Sequence, residues 1–160
     1  MKVVREFNYR NAKEIIEKID PVILKDIYSI LDNPKNQIKL EIGNNKQREL
    51  SKPIQNLFLK LKGWKDEHSV FTIADLKYDL VKSSIPVEIE IGHERLVYAD
   101  FFKFLADFSN SYIPAAIMVV TNDSKKFGHS WHNSLDKTKK KIESISKVYL
   151  VPILVIGIDP

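Results

Sequence analysis

The run Ile85-Pro86-Val87-Glu88-Ile89-Glu90-Ile91 limits what this chain can fold into more than any other stretch. Past Pro86, which a strand tolerates near its start, apolar and acidic residues alternate with period two. The segment therefore reads as a β-strand with Val87, Ile89 and Ile91 on one face and Glu88 and Glu90 on the other. At a rise of about 3.3 Å per residue, the Cα atoms of the two glutamates lie roughly 6–7 Å apart. Strands are depleted in Glu, so two on one face of so apolar a strand need a physical reason.

The preceding run, Leu76-Lys77-Tyr78-Asp79-Leu80-Val81-Lys82, supplies one. With Ser83-Ser84 as a two-residue turn, Lys82 pairs with Ile85, Leu80 with Val87, Tyr78 with Ile89 and Leu76 with Ile91. The last three pairs are apolar and share a face, and a slip of one residue would break the match. The same register sets Asp79 opposite Glu88, and Lys77 opposite Glu90. Like charges directly opposite are destabilising. A divalent cation between Asp79 and Glu88 would remove the conflict, and hard cations such as Mg²⁺ prefer carboxylate oxygens. A second reading needs no metal: Glu90 pairs with Lys77, while Asp79 and Glu88 face solvent on an edge hairpin. The hairpin alone leaves both open.

At 160 residues the chain is long enough for one domain with a real core and short for two. It has no cysteine, which excludes disulfides and thiolate metal sites and fits a cytoplasmic location. Met1–Arg10 lacks the apolar core of a signal peptide, and the apolar runs Ala115–Val120 and Val148–Ile158 are too short to span a membrane, so no membrane association is expected. A net charge of +4 is compatible with a polyanionic partner. Against that basic background, Asp79, Glu88 and Glu90 are concentrated in one hairpin.

The remaining elements follow from period and punctuation. Residues 2–9 form a short strand and 11–19 a helix. Asp20-Pro21 caps a second helix over 21–32, and 37–42 is extended. A helix over about 46–62 carries Leu50, Ile54, Leu57, Phe58 and Leu61 on its core face, with Pro53 as a kink. Residues 68–74, 76–82 and 85–91 are three strands. A helix over 96–110 has an apolar stripe broad enough for burial on two sides, against its own domain or a second subunit. A strand covered on both faces at 115–120, a basic helix at 131–147 and a last strand, starting late or at an edge because of Pro152, complete the chain. The expectation is an α/β fold: a mixed sheet flanked by helices, with a core order of helix, three strands, helix, strand.

That order, with Asp79 followed by Glu88-Ile89-Glu90, resembles the PD-(D/E)xK nuclease superfamily, and within it type II restriction endonucleases of the BglII and BamHI kind. The likeness is carried by Val87 to Gly92, by Asp100-Phe101-Phe102-Lys103-Phe104 and by Ala115 to Val120. Glu90 stands where most of the superfamily carries lysine, a replacement also found in enzymes of this kind, and two departures stand out: Tyr78, not proline, precedes Asp79, and the chain is shorter than those restriction enzymes. The resemblance implies one nuclease-like, restriction-endonuclease-like domain over 1–160, with 1–42 a helical extension and 43–160 the core. It further implies a metal-dependent deoxyribonuclease acting on double-stranded DNA with Mg²⁺ or Mn²⁺, a phosphodiester hydrolase working as a homodimer. The alternative it leaves is a catalytically inactive or structure-specific DNA-binding protein of the same fold.

By position, the resemblance implies that Asp79 and Glu88 are the metal ligands, joined by the main-chain carbonyl of Ile89. Glu90 is the third catalytic residue, aiding the metal or positioning the attacking water. Asn45 and Lys46 at the start of a helix, with His93 and Arg95 after the metal strand, are candidate nucleic-acid contacts. Each of these weaker candidates is also an ordinary solvated loop position. Glu49 falls off the apolar stripe and reads as a surface acid, Lys77 as the partner of Glu90, and Trp131 as a packing anchor. Lys137, Lys139, Lys140 and Lys141 form a solvated basic face open to DNA backbone contact, and His129 and His132 lack the acids of a metal site.

Overall fold

A computed structural model of the chain describes residues 1–36, 47–92, 94–128 and 131–160; the side chains of 47–49 lie outside the description. The expected extended segment at 37–42 and the start of the third helix therefore lie outside the described residues. Six strands are described: β1 (Lys2–Tyr9), β2 (Lys65–Ser69), β3 (Lys77–Lys82), β4 (Ile85–Ile89), β5 (Ala116–Thr121) and β6 (Ile153–Asp159). They form one sheet in the order β1-β6-β5-β4-β3-β2. Strands β2, β3 and β4 are an antiparallel meander, β5 and β6 run parallel to β4, and β1 is antiparallel to β6. The helices are α1 (Ala12–Ile19), α2 (Pro21–Leu31), α3 (Gln47–Phe58), α4 (Val97–Ser109) and α5 (Leu135–Ser144). The parallel step from β4 to β5 needs a crossover, and α4 provides it.

Each face of the sheet has its own core. Residues of α1, α2 and α3, among them Ile16, Ile27, Ile54 and Phe58, cover Leu80, Val87, Ile89, Ile117 and Val119. Residues of α4 and α5, among them Phe101, Phe104 and Ile142, cover Val81, Ala116, Met118, Val120 and Val155. Strand β5 is buried at every position, which explains its unbroken apolar run. Strand β6 lies between β1 and β5, so Pro152 marks a late start and not an edge. Gly157 of β6 is needed because a Cβ there would come within 2.9 Å of the Leu135 side chain at the start of α5.

Two sequence expectations shift. The edge strand is Lys65–Ser69, not 68–74. It is charged and mostly exposed, as suits a sheet edge, and so carries no apolar period to read. Helix α5 starts at Leu135, where the Ser134 side chain caps Lys137 N–H, four residues later than the charge pattern suggests. At the other end of the chain, Asp20 caps α2 by accepting from Val22 N–H at 3.0 Å and also takes the Ser83 hydroxyl at 2.8 Å. Asp20→Ala is expected to lower stability by about 1–2 kcal/mol, read as a shift of the urea midpoint.

The β3–β4 turn uses Ser83 and Ser84, both with positive φ (49° and 61°), which matches the twist of a two-residue hairpin. From that turn, Lys82 pairs with Ile85, Val81 with Pro86 and Leu80 with Val87. Lys82 then reaches back to Asp26 of α2 at 2.7 Å, where Trp64 also donates its indole N–H at 2.8 Å. The hairpin that bears the acids is thereby tied to the helical layer.

Candidate active site

Strand β4 is interior, so a side chain on its α4-facing side can be acidic only if it is paired or sits at a site. Glu88 and Glu90 point that way: β4 runs parallel to β5 with Glu88 beside Met118, which belongs to the core under α4. They are only 4% and 5% exposed. The reading of Glu88 as a solvent-facing acid on an edge hairpin is thus overturned by burial. Strand β4 ends at Ile89, yet Glu90 N–H still donates to Val119 O at 2.9 Å, so Glu90 is held in line with the sheet.

The hairpin register holds for Lys82–Ile85 and Leu80–Val87 and then stops. The expected Tyr78–Ile89 and Leu76–Ile91 pairs do not form. At the break, the Asp79 carboxylate accepts the Ile89 main-chain N–H at 2.9 Å, a side chain taking a donor that ladder pairing would have used. Tyr78 packs instead under α4, stacked on Phe104 with ring centroids 5.9 Å apart. Its hydroxyl donates to the Asp107 carboxylate at 2.9 Å. The two strands separate where Asp79 lies, and Asp79 stands close enough to Glu88 for its charge to push the Glu88 pKa up.

Helix α4 answers these acids with Lys103. Its ammonium donates to the Glu88 carboxylate, to Asp100 at 2.9 Å and to the main-chain carbonyl of Lys77 at 3.0 Å. Burial drives the Glu88 carboxyl well above its ordinary range, with Asp100 and Asp79 adding to the shift and Lys103 opposing it. Burial raises Asp79 too, against the Ile89 N–H and the charges of Lys103 and Lys52. Asp100 rises to about 6, again through burial and against Lys103. Burial disfavours the charge on Lys103 itself, but Glu88 and Asp100 hold it above the ordinary lysine range. Three carboxylates share one ammonium here; burial is the first cause of each raised carboxyl pKa, and repulsion from neighbouring acids adds to it at Glu88 and Asp100.

The donor set therefore fits a hard divalent cation: two adjacent acids, Asp79 and Glu88, on a strand opening that is short of positive charge. Among the described residues there is no cluster of three or more His, Cys, Asp or Glu side chains placed to hold a metal ion. Mg²⁺ does not require one, since it keeps several waters and commonly uses one or two carboxylates plus substrate oxygens.

Other sequence candidates fall differently. Lys77 does not pair with Glu90; in β3, paired with β2 on its outer side, it reaches Glu67 at 3.3 Å. Arg95 is exposed just before α4, while Asn45, Lys46, His93 and His129 lie outside the described residues, as does the side chain of Glu49. Trp131 is not buried as an anchor: 46% of it is exposed, with its ring edge-on to His132. Lys137 is engaged by Glu94 at 2.7 Å, so the basic helix is partly neutralised. Sequence reasoning gave no role to Asp100, Lys103 and Asp107, although they share a helical face at spacings of three and four with Val97 and Phe104, and charged residues there are buried. Charges embedded in an apolar stripe are the signal, since such groups go inside only when paired.

The sequence pattern of the family described as Restriction endonuclease BglII/BglIII matches residues 4–158. No curated protein matches the chain at the sequence level. Among solved structures, the fold is similar to restriction endonuclease BglII complexed with a DNA 16-mer, with a TM-score of 0.78 and 18% identity over 99% of this chain and 76% of that one. It is also similar to free BglII, with a TM-score of 0.70 and 16% identity over 100% of this chain and 80% of that one. The mixed sheet with its flanking helices is thus the BglII fold, and the chain belongs to the BglII/BglIII restriction endonuclease family.

Proposed function

We propose that the chain is a Mg²⁺- or Mn²⁺-dependent endonuclease that hydrolyses phosphodiester bonds in double-stranded DNA. The observation that carries this reading is the Asp79–Glu88 pair, half-buried Asp79 beside buried Glu88, at the point where β3 and β4 separate, in a chain of a restriction endonuclease family. Asp79 and Glu88 would hold the metal, with the carbonyl of Ile89 a further oxygen ligand. A bound divalent ion lowers the pKa of water and offsets charge building on the phosphate. The Ile89 N–H orients Asp79 by donating to one of its oxygens. Glu90, held in line by its bond to Val119, would accept a hydrogen bond from the attacking water and so fix its direction. Arg95, exposed beyond the end of β4, would meet the DNA backbone, as would Asn45, Lys46 and His93.

The test is incubation of plasmid DNA with the protein across Mg²⁺, Mn²⁺ and Ca²⁺, with supercoiled, relaxed and linear substrates. Nicked or linear product with Mg²⁺ or Mn²⁺ supports the enzyme. Intact DNA under every condition overturns it and leaves the inactive DNA-binding reading, which a salt-dependent binding titration would then examine.

The same reading treats residues 1–160 as one working domain, because β1 is a strand of the sheet and α1 and α2 fill one of its cores. It also includes a homodimer, since two active sites are the simplest way to cut both strands. Support comes from the outer side of α4, where Tyr98 and Phe102 are each 57% exposed, with Val148 and Leu150 exposed as well. Exposed aromatics on one helix face are what a subunit interface would cover. Phe102→Lys is expected to convert a dimer to a monomer in sedimentation velocity. A wild-type protein that is monomeric at all concentrations, with or without DNA, would exclude the dimer. No helix among the described residues is long and apolar enough to cross a membrane.

A further inference from the structure

Lys103 has no role in the reaction as drawn, yet its ammonium is fully committed inside the candidate site. Its three protons are taken by Glu88, by Asp100 at 2.9 Å and by the Lys77 carbonyl at 3.0 Å, and its charge lies 5.8 Å from the centroid of the Tyr78 ring. The side chain is about 10% exposed, so water does not substitute for these partners. The Glu88 oxygen it occupies belongs to a residue the metal needs. Two cations on one carboxylate repel strongly in a buried setting. Lys103 also has somewhere to go. Asp100 sits one turn back on the same helix, and its second oxygen, Oδ2, is buried and without a hydrogen-bond partner.

We propose that Lys103 is a resident counter-cation of this site: it holds Glu88 while no metal is bound, and a divalent cation must displace its ammonium onto Asp100 to gain that carboxylate. The inference rests on reading Asp79 and Glu88 as the metal ligands. In this arrangement the metal-free protein keeps its buried acids compensated and so stays folded. Metal affinity is set by the difference between the two cations on Glu88. Lys103 thereby acts as a positioning residue, through Glu88, and touches neither water nor phosphate while Glu88 holds it.

Mn²⁺ binding without DNA tests this, read as free Mn²⁺ by electron paramagnetic resonance. Lys103→Met is expected to bind Mn²⁺ on the order of tenfold more tightly than the unmutated protein, since a unit charge a few ångströms from a dication matters this much even at bulk-water screening. Glu88→Gln is expected to lose binding. Binding that is unchanged or weaker in a folded Lys103→Met, while Glu88→Gln still abolishes it, overturns the role of Lys103 and leaves the metal site standing. If neither the unmutated protein nor Lys103→Met binds Mn²⁺, the metal-site reading falls, and this inference with it.

Lys103→Met strands two buried carboxylates, so a second measurement uses the unmutated protein. Lysine labelled at ¹³Cε, with the Lys103 resonance assigned through Lys103→Arg, is titrated with Mg²⁺. The Lys103 resonance is expected to move at saturation, and to stay in place when the same titration is run on Asp79→Asn. A resonance that does not move in unmutated protein saturated with Mg²⁺ overturns the proposal.

Discussion

Asp79→Ala is expected to lower the rate of Mg²⁺-dependent DNA cleavage by at least about 10³-fold, equivalent to roughly 4 kcal/mol of transition-state stabilisation. The size follows from where the residue sits. It is the acid at the strand separation, held by the Ile89 N–H and adjacent to Glu88. On the proposed reading, without it only Glu88 and a main-chain carbonyl would be left to hold a metal, and Glu88 is already engaged by Lys103. The fold should tolerate the change. Burial raises the pKa of Asp79, so its ionised form is a cost to the folded state and its removal relieves a local charge conflict. The informative experiment is a single-turnover cleavage assay alongside urea unfolding of the same preparation. A variant that unfolds like the wild type but cuts at least about 10³-fold more slowly supports the assignment. Cleavage within about tenfold of wild type would remove Asp79 from the catalytic group.

The part of this site that can be read in the sequence is the part governed by local period. Alternation after Pro86 and the two-serine turn are enough to place Leu80 against Val87, and the structure has that pair. They also put Asp79 and Glu88 at the same level of the hairpin. The break at Asp79 is not legible, because its cause is remote: Tyr78 leaves the ladder for Asp107, 29 residues further along the chain, and for Phe104. Strand β2 is invisible to periodicity for a related reason. An exposed edge needs charge more than an apolar face, so its residues look like loop. Lys103 is a different failure. Its place on the buried face of α4 follows from helical spacing, but its partner on β4 depends on how the helix crosses the sheet, which no local pattern encodes. The acids were conspicuous because they broke a strand's preference. The lysine that answers them was hidden in a helix that tolerates lysine well.

Asp107→Ala is expected to cost about 3–5 kcal/mol of folding stability, the opposite balance to Asp79. Asp107 is fully buried in α4 and accepts four hydrogen bonds. They come from Phe71 N–H at 3.0 Å, Thr72 N–H at 2.9 Å, the Thr72 hydroxyl at 2.7 Å and the Tyr78 hydroxyl at 2.9 Å. The first three fasten the connection between β2 and β3 to the helix, and the fourth fixes the residue next to Asp79. Alanine would leave a buried tyrosine hydroxyl with only the weaker bond to Lys103 O at 3.2 Å. Asparagine keeps the shape but replaces one acceptor oxygen by a donor among donors, so it should recover only part of the loss. Urea unfolding measures the cost, and a drop below about 1 kcal/mol would mean the four bonds are not holding the segment. Activity supplies a second readout. At temperatures where Asp107→Ala remains folded, cleavage should still fall, because Tyr78 is freed and the strand separation that positions Asp79 is no longer enforced. The stability loss with cleavage unchanged would instead mean that the Ile89 N–H alone suffices to hold Asp79 in place.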